Sequence, residues 1–311
     1  MISSFFSKTK PINYLVLLIM LVLFYVANYF ILKINFDSVV FLLLILIAIS
    51  LQVIGVQETV RTRKTTNTTS FAMLFFVLLC MAVPKILQYK EIVFCNLFLL
   101  LSLNRLLALK NLKQVKQKIF DATLWICVAS VFDPWVLLFL VVVFLAVYIY
   151  GTKEFKNWLV PIIAIVFFVL LISAFLVLTK NINFIENHYV IHVDTNLLES
   201  FMANFSIKPF LYIIVILIVA SFVLVKQGYQ GVGRIIHLRL LLVYFLVVIV
   251  VFSVQNLENK NYTILLYSFF PAAIFATNFM ETFKKKRLKE AVLLVCILIP
   301  FTLLLIDLVK K

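Results

Sequence analysis

Apolar runs, each about as long as a membrane crossing and each closed by a short polar patch, recur along the whole chain. A helix needs about 20 such residues to cross the hydrocarbon. Runs of that kind lie at 13–33, 39–56, 71–88, 92–109, 119–132, 134–151, 158–179, 210–226, 239–255, 262–280 and 291–308. They predict an all-α, polytopic membrane protein of about eleven transmembrane helices, one integral domain over residues 1–311. The fifth and sixth runs form one stretch from Phe120 to Tyr150, broken only at Phe132-Asp133-Pro134. Proline disfavours helix at the residue before it and opens a new helix well. A hairpin turning at Asp133 is therefore expected, with the arm 119–132 spanning, tilted or re-entrant. The first run is too long for a signal-peptide core, lacks a small-residue cleavage site and is followed at once by another run, so it is expected to stay.

Charge then sets the orientation. With the amino terminus inside, the inner loops hold Lys8 and Lys10, then Arg61, Arg63 and Lys64, then Arg105, Lys110, Lys113, Lys116 and Lys118. They continue with Lys153 and Lys156, then Lys226, Arg234 and Arg239, and finally Lys284, Lys285, Lys286, Arg287 and Lys289. That places twenty of the 28 basic residues inside and eight outside, the bias that cytoplasmic loops carry. The expected location is a bacterial inner (cytoplasmic) membrane, amino terminus in the cytoplasm.

Composition agrees: 65% of residues are hydrophobic and 13% charged, whereas soluble domains run near half and about a quarter. The net charge of +15 is scattered over inter-helix loops, so it reads as topology and membrane-lipid attraction, not as a nucleic-acid surface. Cys80, Cys95, Cys127 and Cys296 fall inside apolar runs without paired spacing, which points to packing and not to disulfides or zinc.

The outer segment 180–209 is the one long loop, predicted to be structured and periplasmic. It carries Glu186-Asn-His188-Tyr-Val-Ile-His192-Val-Asp194. In an extended strand alternate residues share a face, which would align Glu186, His188, His192 and Asp194. Such a set can ligate a divalent metal or move protons; the plainer reading is the solvated face of a strand, with Asp194 capping the next helix. From Thr195 to Phe205, Leu197, Leu198, Phe201, Met202 and Phe205 recur at helical spacing, as in a short amphipathic helix lying in the interface.

Other polar positions carry two readings each. Asp37, in the tight outer turn Asn35-Phe36-Asp37-Ser38, can act as a base near the headgroups or cap the second span. Asp133 is a functional candidate, as acids within a membrane are by default, or an ordinary Asp-Pro helix start near the outer surface. Asp121 suits a helix start, and Arg105 suits a snorkelling cation. Gly228, Gly231 and Gly233 follow a span and not a strand, so they fail the context for phosphate-binding loops. Nowhere is there a Walker loop, HExxH, nucleophile elbow or CxxC.

Phe120 to Phe139, the apolar run after it, Lys153-Glu-Phe-Lys156 and Trp158-Leu-Val-Pro161 resemble an uncharacterised family of bacterial multipass inner-membrane proteins. More distantly, the proline-opened hairpin and the segment Lys260-Asn-Tyr262 to Phe270-Pro271-Ala-Ala resemble GT-C type glycosyltransferases. That resemblance implies transfer of a sugar from a polyprenyl-phosphate carrier at the outer face, using an acid of the first outer loop, which only Asp37 can match. The expected catalytic group is thus Asp37, or His188, His192 and Asp194, with Glu186, His188, His192 and Asp194 as the set for a divalent metal. The rival expectation is a non-catalytic subunit of an envelope assembly with other membrane proteins as partners; a transporter comes third, because mid-span charges are nearly absent.

Overall fold

The computed structural model of the chain describes residues 2–32, 39–67, 69–150, 154–180, 183–189, 207–227, 232–257 and 262–309. The described residues are helical with turns and contain no strand. Among the described residues thirteen α-helices follow one another: α1 (Ile2–Phe5), α2 (Pro11–Leu32), α3 (Val39–Arg63), α4 (Phe71–Ala82), α5 (Lys90–Leu107), α6 (Val115–Ser130) and α7 (Leu140–Ile149). After these come α8 (Lys156–Leu178), α9 (Asn183–His188), α10 (Ile207–Gln227), α11 (Val232–Leu257), α12 (Phe269–Glu281) and α13 (Lys286–Val309).

Every apolar run read from the sequence falls on helix. Among the described residues six stretches are long and apolar enough to cross a membrane: Phe41–Arg63, Lys90–Asn111, Lys156–Leu178, Ile207–Lys226, Arg234–Gln255 and Thr263–Glu281. Four runs are built differently from a plain helix. Pro84–Gln88, Ala108–Asn111, Pro134–Phe139 and Tyr262–Ser268 are 3-10 turns joined to α4, α5, α7 and α12. A 3-10 turn rises about 2.0 Å per residue against about 1.5 Å in an α-helix. The stretch Pro134–Ile149 therefore reaches about 27 Å, more than its 16 residues would give as α-helix.

The centre of the bundle is α4, whose residues from Phe71 to Met81 are buried except at Leu79. It packs on α2, α3, α12 and α13, while α5 packs on α3 and α6. A Cβ added at Gly55 on α3 would lie 3.0 Å from Leu100 Cδ2 on α5, so the small residue allows the two helices their close approach. One strut crosses the α3–α5 seam. Gln52 Nε2 donates to the Val93 carbonyl at 2.7 Å, and Asn96 Nδ2 donates to Gln52 Oε1 at 2.9 Å.

At one end of the bundle, the loop after α3 is pinned by distant parts of the chain. Ser70 N donates to the Phe6 carbonyl at 3.0 Å. Asn13 Nδ2 donates to Ser70 Oγ at 2.9 Å, and Asn67 N to the Glu281 carboxylate at 3.1 Å. Arg234 at the start of α11 donates to Asn67 Oδ1 at 3.0 Å. The last turn of the same helix holds Gln255, about 32 Å away along the axis. α11 thus spans a distance close to the thickness of a bilayer's hydrocarbon core, about 30 Å.

Candidate functional site

The far end of α11 meets the hairpin between α6 and α7. Ser130 closes α6, and the chain turns through Val131 and Phe132 into an extended Asp133 (φ −145°, ψ 108°) before Pro134 opens the next helical segment. Asp133 caps that segment: its Oδ1 accepts from Trp135 N at 3.2 Å. The cap expected from the Asp-Pro pair is there, but its surroundings are not those of a surface turn. Asp133 is only 6% exposed. Gln255 Nε2, from α11, donates to Oδ1 at 2.6 Å, and the Tyr267 hydroxyl donates to Oδ2 at 3.0 Å. A buried carboxylate is costly unless its lone pairs are used, and here three donors from three segments use them. Gln255 Oε1 is buried without a hydrogen-bond partner among the described residues, so the carboxylate's neighbour keeps an acceptor that they do not fill. Phe139 packs against Tyr244 at 4.7 Å and edge-on to Tyr267 at 6.3 Å, closing the apolar side.

The long segment after α8 comes to the same end. The expectation of an extended strand from Glu186 to Asp194 does not hold for its first part, because Asn183–His188 is helix α9. Positions 186 and 188 therefore do not alternate as in a strand, where residues two apart share a face. His188 Nε2 donates to the Ser130 carbonyl at 3.0 Å, one of the orphan acceptors that a helix end presents. The Ser130 hydroxyl donates to the Cys127 carbonyl at 2.7 Å, so Tyr189 is the donor in its 3.1 Å bond to Ser130 Oγ. Burial holds the Tyr189 phenol above its ordinary pKa, against a smaller lowering by Ser130, which keeps it a donor. The His188 ring stacks on Phe184 with centroids 4.7 Å apart. These contacts fasten the loop to the end of α6, three residues from Asp133.

Of the residues singled out in the sequence, His188 is thus brought to the hairpin. The backbone of Glu186 lies in α9, and its side chain is outside what the structure describes, as are Asp37, His192 and Asp194 altogether. Among the described residues no three His, Cys, Asp or Glu side chains converge as a metal site would require. Asp121 lies in the second turn of α6 and not at its start, and it bonds Arg105 Nε at 3.3 Å. Cys80, Cys95 and Cys127 are buried, as apolar packing predicts.

A model of a family of unknown function, DUF6427, matches residues 1–309. The chain belongs to this family. No curated protein and no solved structure matches it. Asp133, Gln255 and Tyr267 all lie within the stretch that matches DUF6427.

Proposed function

We propose that this DUF6427 protein crosses a bacterial inner membrane eleven times with its amino terminus in the cytoplasm. On this reading its outer end is the working site of a GT-C-like glycosyltransferase acting on a polyprenyl-phosphate-linked sugar, with Asp133 taking the place of Asp37. The supporting observation is the bond between Tyr267 and Asp133, because each residue comes from one of the two segments that resemble GT-C enzymes. In the reaction, Asp133 accepts the proton of an acceptor hydroxyl as that oxygen attacks the anomeric carbon. The bond from that carbon to the carrier phosphate breaks, and polyprenyl phosphate leaves with the electron pair. Acid–base work of this kind needs a carboxylate within hydrogen-bond reach of the acceptor, and Tyr267 and Gln255 orient it.

A second reading is favoured by the same geometry. Three of the chain's own donors occupy the Asp133 oxygens, as they would in a structural latch within a non-catalytic subunit of an envelope assembly. The Asp133→Asn and Tyr267→Phe variants, compared by envelope glycan profiling at equal abundance of folded protein, separate the two. The enzyme reading expects an altered profile from both variants. A wild-type profile from folded Asp133→Asn protein sinks it and leaves the subunit. Alkaline phosphatase fusions test the orientation: fusion after Asn259 is expected to be active and fusion after Lys285 inactive.

A further inference from the structure

At the end of the bundle opposite Asp133, cations from three elements gather around the carboxyl end of α5. Arg63, the last residue of α3, donates through Nε to Asn104 Oδ1 at 2.9 Å. The next residue, Arg105, is held by Asp121 at 3.3 Å. Lys118, from the first turn of α6, donates to the Ala108 carbonyl at 2.9 Å. The connection between these anchors carries Lys110 and Lys113, both exposed. Asp121 is the carboxylate bonded within this group, and Glu58 is taken up by Arg61 at 3.0 Å.

The backbone here is bent into an uncommon shape. Four described residues other than glycine have positive φ, and three of them flank this cluster: Lys64 at 53°, Leu112 at 50° and Gln114 at 50°. Left-handed backbone costs about 1–2 kcal/mol per residue for L-amino acids, and such strain gathers at functional sites. Lys118 sits below the ordinary lysine pKa, first through partial burial and then through Arg63, Arg105 and Lys113. The cations therefore share one field that their own carboxylates do not quench.

Apolar groups mark the same end as a lipid boundary. Leu112, between Lys110 and Lys113, is 58% exposed. Lys116 bonds Glu154 at 3.3 Å, which brings the start of α8 alongside. There Phe155 is 76% exposed and Trp158 is partly exposed, as aromatic residues are at a membrane interface.

We propose that Arg63, Arg105, Lys110, Lys113 and Lys118 form a binding site for the phosphate of an anionic lipid headgroup, with Leu112 against the acyl chains. Basic recesses between transmembrane helices bind such headgroups, and a guanidinium suits phosphate oxygens better than an ammonium does. The site needs no glycosyl transfer at the other end, so it stands or falls separately from that reading.

The test uses the purified full chain in neutral detergent, titrated with phosphatidylglycerol, with phosphatidylcholine and with inorganic phosphate alone. Phosphatidylglycerol is expected to bind, and the Arg63→Gln, Lys118→Gln double variant to weaken it by about thirtyfold, as two interfacial charges imply. A Lys284→Gln, Lys285→Gln control removes the same charge elsewhere and is expected to change binding less than about twofold, because exposed charges are screened within a Debye length. Competition by inorganic phosphate at millimolar concentration assigns the site to phosphate as such; failure to compete assigns it to the lipid. Equal weakening by both double variants, or by neither, overturns the proposal. Where the first variant loses thermal stability, Lys110→Gln with Lys113→Gln replaces it, with a loss of about thirtyfold expected by the same count of charges and an unchanged affinity overturning the proposal.

Discussion

Tyr267 donates its hydroxyl to Asp133 Oδ2 at 3.0 Å, across 134 residues of chain. The bond ties the turn that opens α7 to the 3-10 segment that leads into α12. Asp133→Ala leaves Tyr267 and Gln255 as buried donors without their acceptor, at a cost of about 3 kcal/mol. Asp133→Asn keeps the shape and is expected to cost about half as much. Thermal unfolding in detergent measures both, and a cycle of Asp133→Asn with Tyr267→Phe should show coupling of about 1 kcal/mol. Additive losses would mean that the bond contributes little.

His188 holds the segment after α8 against the last turn of α6. His188→Ala is expected to cost about 1 kcal/mol, because the bond is only part-buried and His188 itself is half-buried. The clearer readout is local. Amide exchange over residues 183–189 should quicken while α6 stays protected, and uniform exchange in the two proteins would place the fastening elsewhere.

Deep in the opposite end, the Tyr150 hydroxyl and His237 Nδ1 form a buried hydrogen bond of 2.7 Å between α11 and the residue that follows α7. Tyr150→Phe strands the imidazole, for an expected loss of about 1–3 kcal/mol. Adding His237→Phe removes the stranded partner, so the double variant should be more stable than the sum of the single losses. Unfolding midpoints of the three proteins decide this.

Glu281 accepts from Asn67 N at 3.1 and 3.2 Å and from Thr69 Oγ1 at 3.3 Å. Glu281→Gln replaces charge-assisted bonds by neutral ones and is expected to cost about 1–2 kcal/mol. Protease cleavage near Lys64 should rise in step, and an unchanged cleavage rate would show that Asn13 and Gln57, whose Nε2 donates to the Thr69 carbonyl at 3.1 Å, suffice to hold the loop.

The helices were legible because long apolar runs closed by polar patches stand out directly in the sequence, and the six stretches long and apolar enough to cross a membrane among the described residues all fall on them. Asp133-Pro134 announced both its turn and its cap for local reasons. Its partners were not legible, since Gln255 and Tyr267 lie 122 and 134 residues away and nothing in a neighbour's identity encodes such distances. The rule that acids inside a membrane are functional candidates does point to Asp133, and the local Asp-Pro pattern alone could not choose between that reading and a plain helix start. The strand expected from Glu186 failed because a two-residue period in a few positions also fits a short helix with polar ends. Asp121 was misplaced for a simpler reason: α6 begins at Val115, several residues before its apolar run.

The loop at 64–70 has a consequence for how the protein is made. Its partners include Phe6 and Asn13, synthesised before it, and Glu281, synthesised more than two hundred residues after it, while Ser3 bonds Glu290 across nearly the whole chain. A ribosome delivers these pieces in order. Thr65, Thr66 and Ser70, which end up buried, must therefore wait, hydrated or chaperoned, until the helix that carries Glu281 is made. A ribosome stalled before residue 281 should leave this loop open to water-borne labels, so its closure marks the arrival of Glu281.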